Sequence, residues 1–177
     1  MKKITTVLSL VIMAVVFMSC ESKSLQAYLV KAQEKEGFMT VDLPTSFIQL
    51  KEGDIPADVK ATVESIKKIN AVALPIKGNE EAYETEKNEI KSILKDSKKY
   101  KSLMSMKAKG MNMKVYFTGE ADAIDEVIVF GYAKEYGLGI ARLMGEDMNP
   151  SAIMKMMNNI KIDPSNMNLS NFNLAFD

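Results

Sequence analysis

The chain has 177 residues, with 23 Lys and Arg balancing 23 Asp and Glu, no His, no Trp and a single Cys. Without an imidazole, the Ser-His-Asp and Cys-His nucleophile arrangements, His-ligated zinc and the usual near-neutral proton shuttle are excluded. A formal charge of zero, with no Lys/Arg cluster interleaved with aromatics, leaves no electrostatic footprint for nucleic acid, so no nucleic-acid partner is expected.

The N-terminus reads as an address. Met1-Lys2-Lys3 precede an apolar run from Ile4 to Phe17, then Met18-Ser19-Cys20. The run is too short to span a bilayer, which takes about 20 residues, and small Ser19 stands directly before the only Cys. This pattern predicts a bacterial lipoprotein signal over residues 1–19, cleavage to leave Cys20 as the new first residue, and acylation of its sulfur and amine. Two or more acyl chains make membrane residence effectively permanent. Removing the leader takes Lys2 and Lys3 from the 23 basic residues, leaving 21 against 23 acidic side chains. With Cys20 lipidated, no disulfide remains, and the fold must rest on its hydrophobic core.

After a short tether at 20–23, Ser24 is a candidate N-cap for a helix to about Glu36, with Leu25, Tyr28, Leu29 and Ala32 on one face. Phe38 to Leu43 alternates as a strand and ends at Pro44. A second helix is expected from Pro56, carrying Val59, Val63, Ile66 and Lys67 towards Asn70, followed by a buried strand from Ala71 to Ile76. Asn79 caps a third helix whose apolar stripe, Tyr83, Ile90, Ile93 and Leu94, is thin beside Glu80, Glu81, Glu84, Glu86, Glu89 and Lys91; that helix should mostly face water.

Tyr100 to Phe117 carries two alternating runs around Lys109-Gly110. A two-residue turn there pairs Ala108 with Met111, Met106 with Met113, Met104 with Val115 and Ser102 with Phe117 on an apolar face, and Lys107 with Asn112 and Ser105 with Lys114 on a wet one. Further runs from Asp125 to Tyr132 and from Leu138 to Met144 complete a meander of four antiparallel strands. Asn149-Pro150 then starts a last helix with Ile153, Met156 and Met157 inward. The expected architecture is a single α+β domain over residues 24–162, with a mainly antiparallel four-stranded meander plus one or two further strands, covered by helices. An Asn-rich tail at 163–177, with Met167, Leu169, Phe172, Leu174 and Phe176, has no assigned structure.

The leader through Cys20, the early helix and the strand Phe38 to Leu43, the strand Ile69 to Leu74 after a helix, and the hairpin Glu126 to Leu143 running into Gly145-Glu146-Asp147-Met148 and the last helix together resemble domain of unknown function family 4252 (DUF4252), a family of small exported Bacteroidetes proteins. The resemblance covers nearly all of the mature chain but not the tail after Asp163. It implies a lipoprotein encoded near extracytoplasmic sigma factors and an envelope or signalling role; it supplies no catalytic residues.

Fourteen methionines include Met104-Ser105-Met106 and Met111-Asn112-Met113 on facing strands. Methionine at period two on the buried side of a hairpin is a flexible core filler, and that is the first reading; exposed thioethers would instead suit Cu(I). Ser65-Ile66-Lys67-Lys68 and Ser92-Ile93-Leu94-Lys95 match Ser-x-x-Lys but lack the companion motifs of penicillin-recognising enzymes. Asp122, Asp125 and Glu126 read as a solvated loop cluster without calcium-loop spacing, and Glu146-Asp147 as charges favoured at the start of the last helix. The loop Lys134-Glu135-Tyr136-Gly137 offers Tyr136 as an interaction anchor, or as a tyrosine packed down on the strands. The sequence therefore predicts no catalytic residues, no cofactor, lipidation at Cys20, and a non-catalytic binding or signalling module with an envelope protein partner, facing the periplasm from the outer membrane. The alternative is a periplasmic binder of Cu(I), through Met104, Met106, Met111 and Met113, or of a small ligand.

Overall fold

The structure, a computed structural model, describes residues 24–43, 48–50, 54–108 and 110–162. The leader, Cys20, Lys109 and the tail at 163–177 lie outside the described residues, as does the side chain of Met157.

Helix α1 (Leu25–Ala32) starts where the sequence places it. The Ser24 hydroxyl accepts the Ala27 N–H at 3.1 Å, and Leu25, Tyr28, Leu29 and Ala32 are buried. The helix ends at Ala32 rather than near Glu36. Strand β1 (Met39–Leu43) and a short β2 (Ile48–Leu50) follow, then α2 (Ala57–Ser65). The second helix was expected to continue towards Asn70, but β3 (Ile66–Pro75) already begins at Ile66. Its backbone pairs with β7 from Ile66 onward and with β1 from Ile69 to Ala73, and these ladders outweigh a weak helical pattern in Ile66-Lys67-Lys68.

Helix α3 (Glu80–Leu94) buries Tyr83, Ile90, Ile93 and Leu94, and also Glu86. The rest of the helix is exposed or half-buried, so the expectation that it mostly faces water is corrected only at Glu86. Glu86, grouped in the sequence with solvated carboxylates, accepts from the Tyr28 hydroxyl at 3.0 Å and from Lys35 Nζ at 2.6 Å. Burial first, and the neighbouring Glu86 charge second, hold the Tyr28 phenol far above its ordinary pKa, so it stays protonated and donates. Asn79 does not cap through its side chain; its amide donates to the carbonyls of Pro75 and Lys77.

The meander is β4 (Lys101–Ala108), β5 (Met111–Gly119), β6 (Ile124–Ala133) and β7 (Gly137–Met148). Helix α4 (Pro150–Asn159) and a short β8 (Ile160–Ile162), paired with β2, complete the described chain. Asn149 Oδ1 accepts the Ala152 N–H at 3.0 Å, the cap expected before Pro150. The main sheet has six strands in the order β1-β3-β7-β6-β5-β4, all neighbours antiparallel. The four-stranded meander is thus extended beyond β7 by β3 and β1.

Hairpin β4–β5 has the expected register from Ala108–Met111 to Met104–Val115. Beyond Met104 a bulge at Leu103 shifts the pairing, so Lys101 rather than Ser102 faces Phe117. Strand β7 is longer than expected and contains Glu146 and Asp147, which therefore do not begin the last helix; Glu146 pairs with Lys67. Asp125 and Glu126 lie within β6 rather than in a loop with Asp122.

Helices cover the two faces differently. On the first, α1 and α3 pack Leu25, Tyr28, Ile90 and Ile93 over Val72, Leu74, Ile128, Phe130, Leu138 and Ile140. On the second, α2 and α4 pack Val59, Ile153 and Met156 over Ile66, Val115, Phe117, Val127 and Met148, which lie towards one end of the strands. Arg142 ties the first face together: Nε donates to Glu126 Oε2 at 3.1 Å, and its other nitrogens reach Glu126 Oε1 and Gln26 on α1. Among the described residues no helix is long and apolar enough to cross a membrane.

Candidate functional site

The half of the second face that α2 and α4 leave uncovered is apolar across the whole sheet. Antiparallel register places Met39, Ala73, Gly139, Gly131, Met113 and Met106 in one transverse row, one residue from each strand. The row beside it, Val41, Ala71, Ala141, Val129, Val115 and Met104, leads under the helices, where Val115 is buried and Val129 and Met104 pack against the second core cluster. At a strand spacing of about 4.8 Å, six strands span roughly 24 Å. Small residues occupy the middle and methionines both edges, so the surface is a trough.

It includes a groove of about 270 Å³ lined by Ala73, Gly131, Ala133 and Gly139 together with Met111 and Tyr136. Two glycines shape it differently. A Cβ at Gly131 would meet nothing within 4 Å, so the floor there is open. Gly137 has φ +109, and a Cβ there would stand 2.1 Å from the Leu74 carbonyl oxygen; only glycine lets the β6–β7 turn close onto β3 at this groove wall.

Residues singled out separately by the sequence meet on this face. Met111 and Tyr136, 43% and 47% exposed, line one groove, and Met106, 48% exposed, lies in the adjoining row opposite Met113. The reading of these methionines as enclosed core is corrected at Met106 and Met111; Met113 is half-buried, and Met104 packs against the second core cluster. Tyr136 stands at the groove wall, about half exposed. The sequence reading missed the glycines and alanines of the floor, although Gly131 and Gly139 inside strand patterns are the signal of a close approach to a sheet.

Three of the other candidates have partners elsewhere in the fold. Ser65 Oγ donates to the Thr62 carbonyl, while Lys68 pairs with Asp42 at 3.3 Å. Glu126 is committed to Arg142. Among the described residues no group of three His, Cys, Asp or Glu side chains is placed to hold a metal ion.

The sequence profile of a domain of unknown function, DUF4252, matches residues 28–156, which run from α1 to α4. The chain belongs to the DUF4252 family. The matched segment includes all six strands of the main sheet and every described residue of the groove, so the trough is built wholly within the DUF4252 domain. No curated protein and no solved structure matches the chain.

Proposed function

We propose that this DUF4252 protein is a lipid-anchored, non-catalytic binding module of the bacterial envelope, whose groove between Met111 and Tyr136 receives an apolar segment of a partner protein. The observation that carries this reading is the apolar trough, left open by the described residues of α2 and α4, with three exposed apolar side chains, Met106, Met111 and Tyr136, on or beside it. Adaptable methionine walls over a floor of small residues suit a bulky side chain entering from a partner.

The position of the N-terminus favours a protein over a lipid surface as the occupant. Leu25 N–H donates to the Tyr100 hydroxyl at 3.3 Å, and Tyr100 immediately precedes β4. Met106 is six residues further along, about 20 Å at 3.4 Å per residue. An acylated Cys20 on a tether of residues 21–23 would hold the Tyr100 end at the membrane and leave the groove pointing away from it.

A photocrosslinking residue in place of Met111, in cells making the lipidated protein, tests this. A single stoichiometric adduct is expected, lost when Gly131→Phe fills the floor without altering the unfolding midpoint, and lost when Cys20→Ala removes the anchor. No adduct from a folded, abundant protein, or one indifferent to Gly131→Phe, defeats the proposal.

A second reading rests on the exposure of Met106 opposite Met113: facing thioethers reachable from solvent are soft ligands for Cu(I). Cu(I) titration of the purified protein, with Met106→Leu as control, decides it; equal uptake by both removes this reading.

A further inference from the structure

On the opposite face of the sheet, α3 and the wet side of the β4–β5 hairpin enclose a second cavity of about 360 Å³, lined among others by Tyr83, Lys87, Lys107, Asn112, Tyr132 and Lys134. Three lysines and one carboxylate, Glu135, line it. Lys87 Nζ lies 4.8 Å from the Tyr83 ring centroid, and Lys91 Nζ, one helical turn further on, lies 4.3 Å from that of Tyr132. Lys87 pairs with Glu84 at 2.5 Å, and its side chain is only 12% exposed. Among the described residues, no carboxylate comes within ion-pair distance of Lys91, Lys107 or Lys134.

Like charges at i and i+4 repel, and Lys87, Lys91, Lys107 and Lys134 outnumber Glu84 and Glu135 around the cavity, so an incoming anion relieves a repulsion that those two carboxylates offset only in part. The Asn112 amide adds uncharged hydrogen-bonding capacity. Burial holds the Tyr83 phenol above its ordinary pKa, so it adds no competing negative charge.

We propose that this cavity binds a phosphate-bearing anion, with Lys87, Lys107 and Lys134 as its charge partners. Ammonium groups on flexible stems bind phosphate as point charges, without the fixed fork that an arginine would impose. The site lies across the sheet from the apolar groove, and the two share Tyr132 and Ala133 in their linings.

The test uses the full-length protein purified in non-ionic detergent, with tripolyphosphate and dihexanoyl phosphatidylglycerol as probes and calorimetry as the readout. Saturable binding is expected, weakened about tenfold by Lys107→Ala combined with Lys134→Ala and unaffected by Lys95→Ala combined with Lys98→Ala, two exposed lysines outside the cavity. Tighter binding of tripolyphosphate makes the natural ligand a soluble phosphate, and tighter binding of the short-chain lipid makes it a headgroup; either supports the site. No binding of either probe, or equal weakening by the two lysine pairs, overturns it. The substituted lysines are exposed, and an unchanged thermal midpoint without ligand verifies the fold.

Discussion

Met106 on β4 lies directly opposite Met113 on β5, and the outer of the two is 48% exposed, whereas Met148 on β7 and Met156 on α4, both in the second core cluster, are 1% and 2% exposed. The methionines thus divide into a core set and a surface set by position along the same face. Hydrogen peroxide should convert Met106 and Met111 to sulfoxides well before Met148 and Met156, read by peptide mass spectrometry on the folded protein. Equal rates at all four would contradict the uncovered face.

The Arg142–Glu126 pair, with Gln26 as third member, joins α1 to β6 and β7, and the two ionic side chains are 10% and 21% exposed. Removing one partner leaves a desolvated charge. Glu126→Ala should cost about 2–3 kcal/mol in denaturant unfolding, less than a fully buried pair because Glu126 keeps some water. Replacing both residues by leucine should cost less than the sum of the single changes.

Tyr28 supplies a signed pH dependence. Its folded pKa is raised above the ordinary 10.0, so the unfolded chain ionises first, and stability present below pH 10.0 declines as the pH rises above it. Urea midpoints should fall from about pH 9 to about pH 11. Tyr28→Phe should flatten part of that slope, the remainder belonging to Tyr83 and Tyr116, which burial shifts in the same direction. An identical slope in the variant would remove Tyr28 from the account.

Gly137 and Gly131 make a controlled pair. Gly137→Ala sets a Cβ against the Leu74 carbonyl at a positive φ and should destabilise by about 2 kcal/mol or more, with an unchanged m value. Gly131→Val adds a β-branched side chain to open space within a strand and should be neutral or stabilising. The reverse order would mean that the groove is built differently.

Local pattern carried much of this fold. Ser24 and Asn149 as caps, the alternation through β4 and β5 and the turn at Gly110 were legible because each depends on neighbours within a few residues. So was family membership, since the order of elements is itself a linear pattern. Where a long-range partner decides the outcome, the sequence was silent or misleading. Ile66 left a helical stretch for the ladder with β7, and Glu86 left the solvated face because Tyr28 and Lys35 come from elsewhere to satisfy it.

The candidate site divides in the same way. Alternation alone assigned Met104, Met106, Met111 and Met113 to one side of a hairpin, and loop position singled out Tyr136. Whether that side was core or surface depended on how far α2 and α4 reach along the sheet, which no spacing in β4 or β5 encodes. Nor does any single strand contain the trough: its floor exists only because six registers bring Ala73, Gly139 and Gly131 side by side, and burial is a property of what packs above a residue rather than of the residue itself.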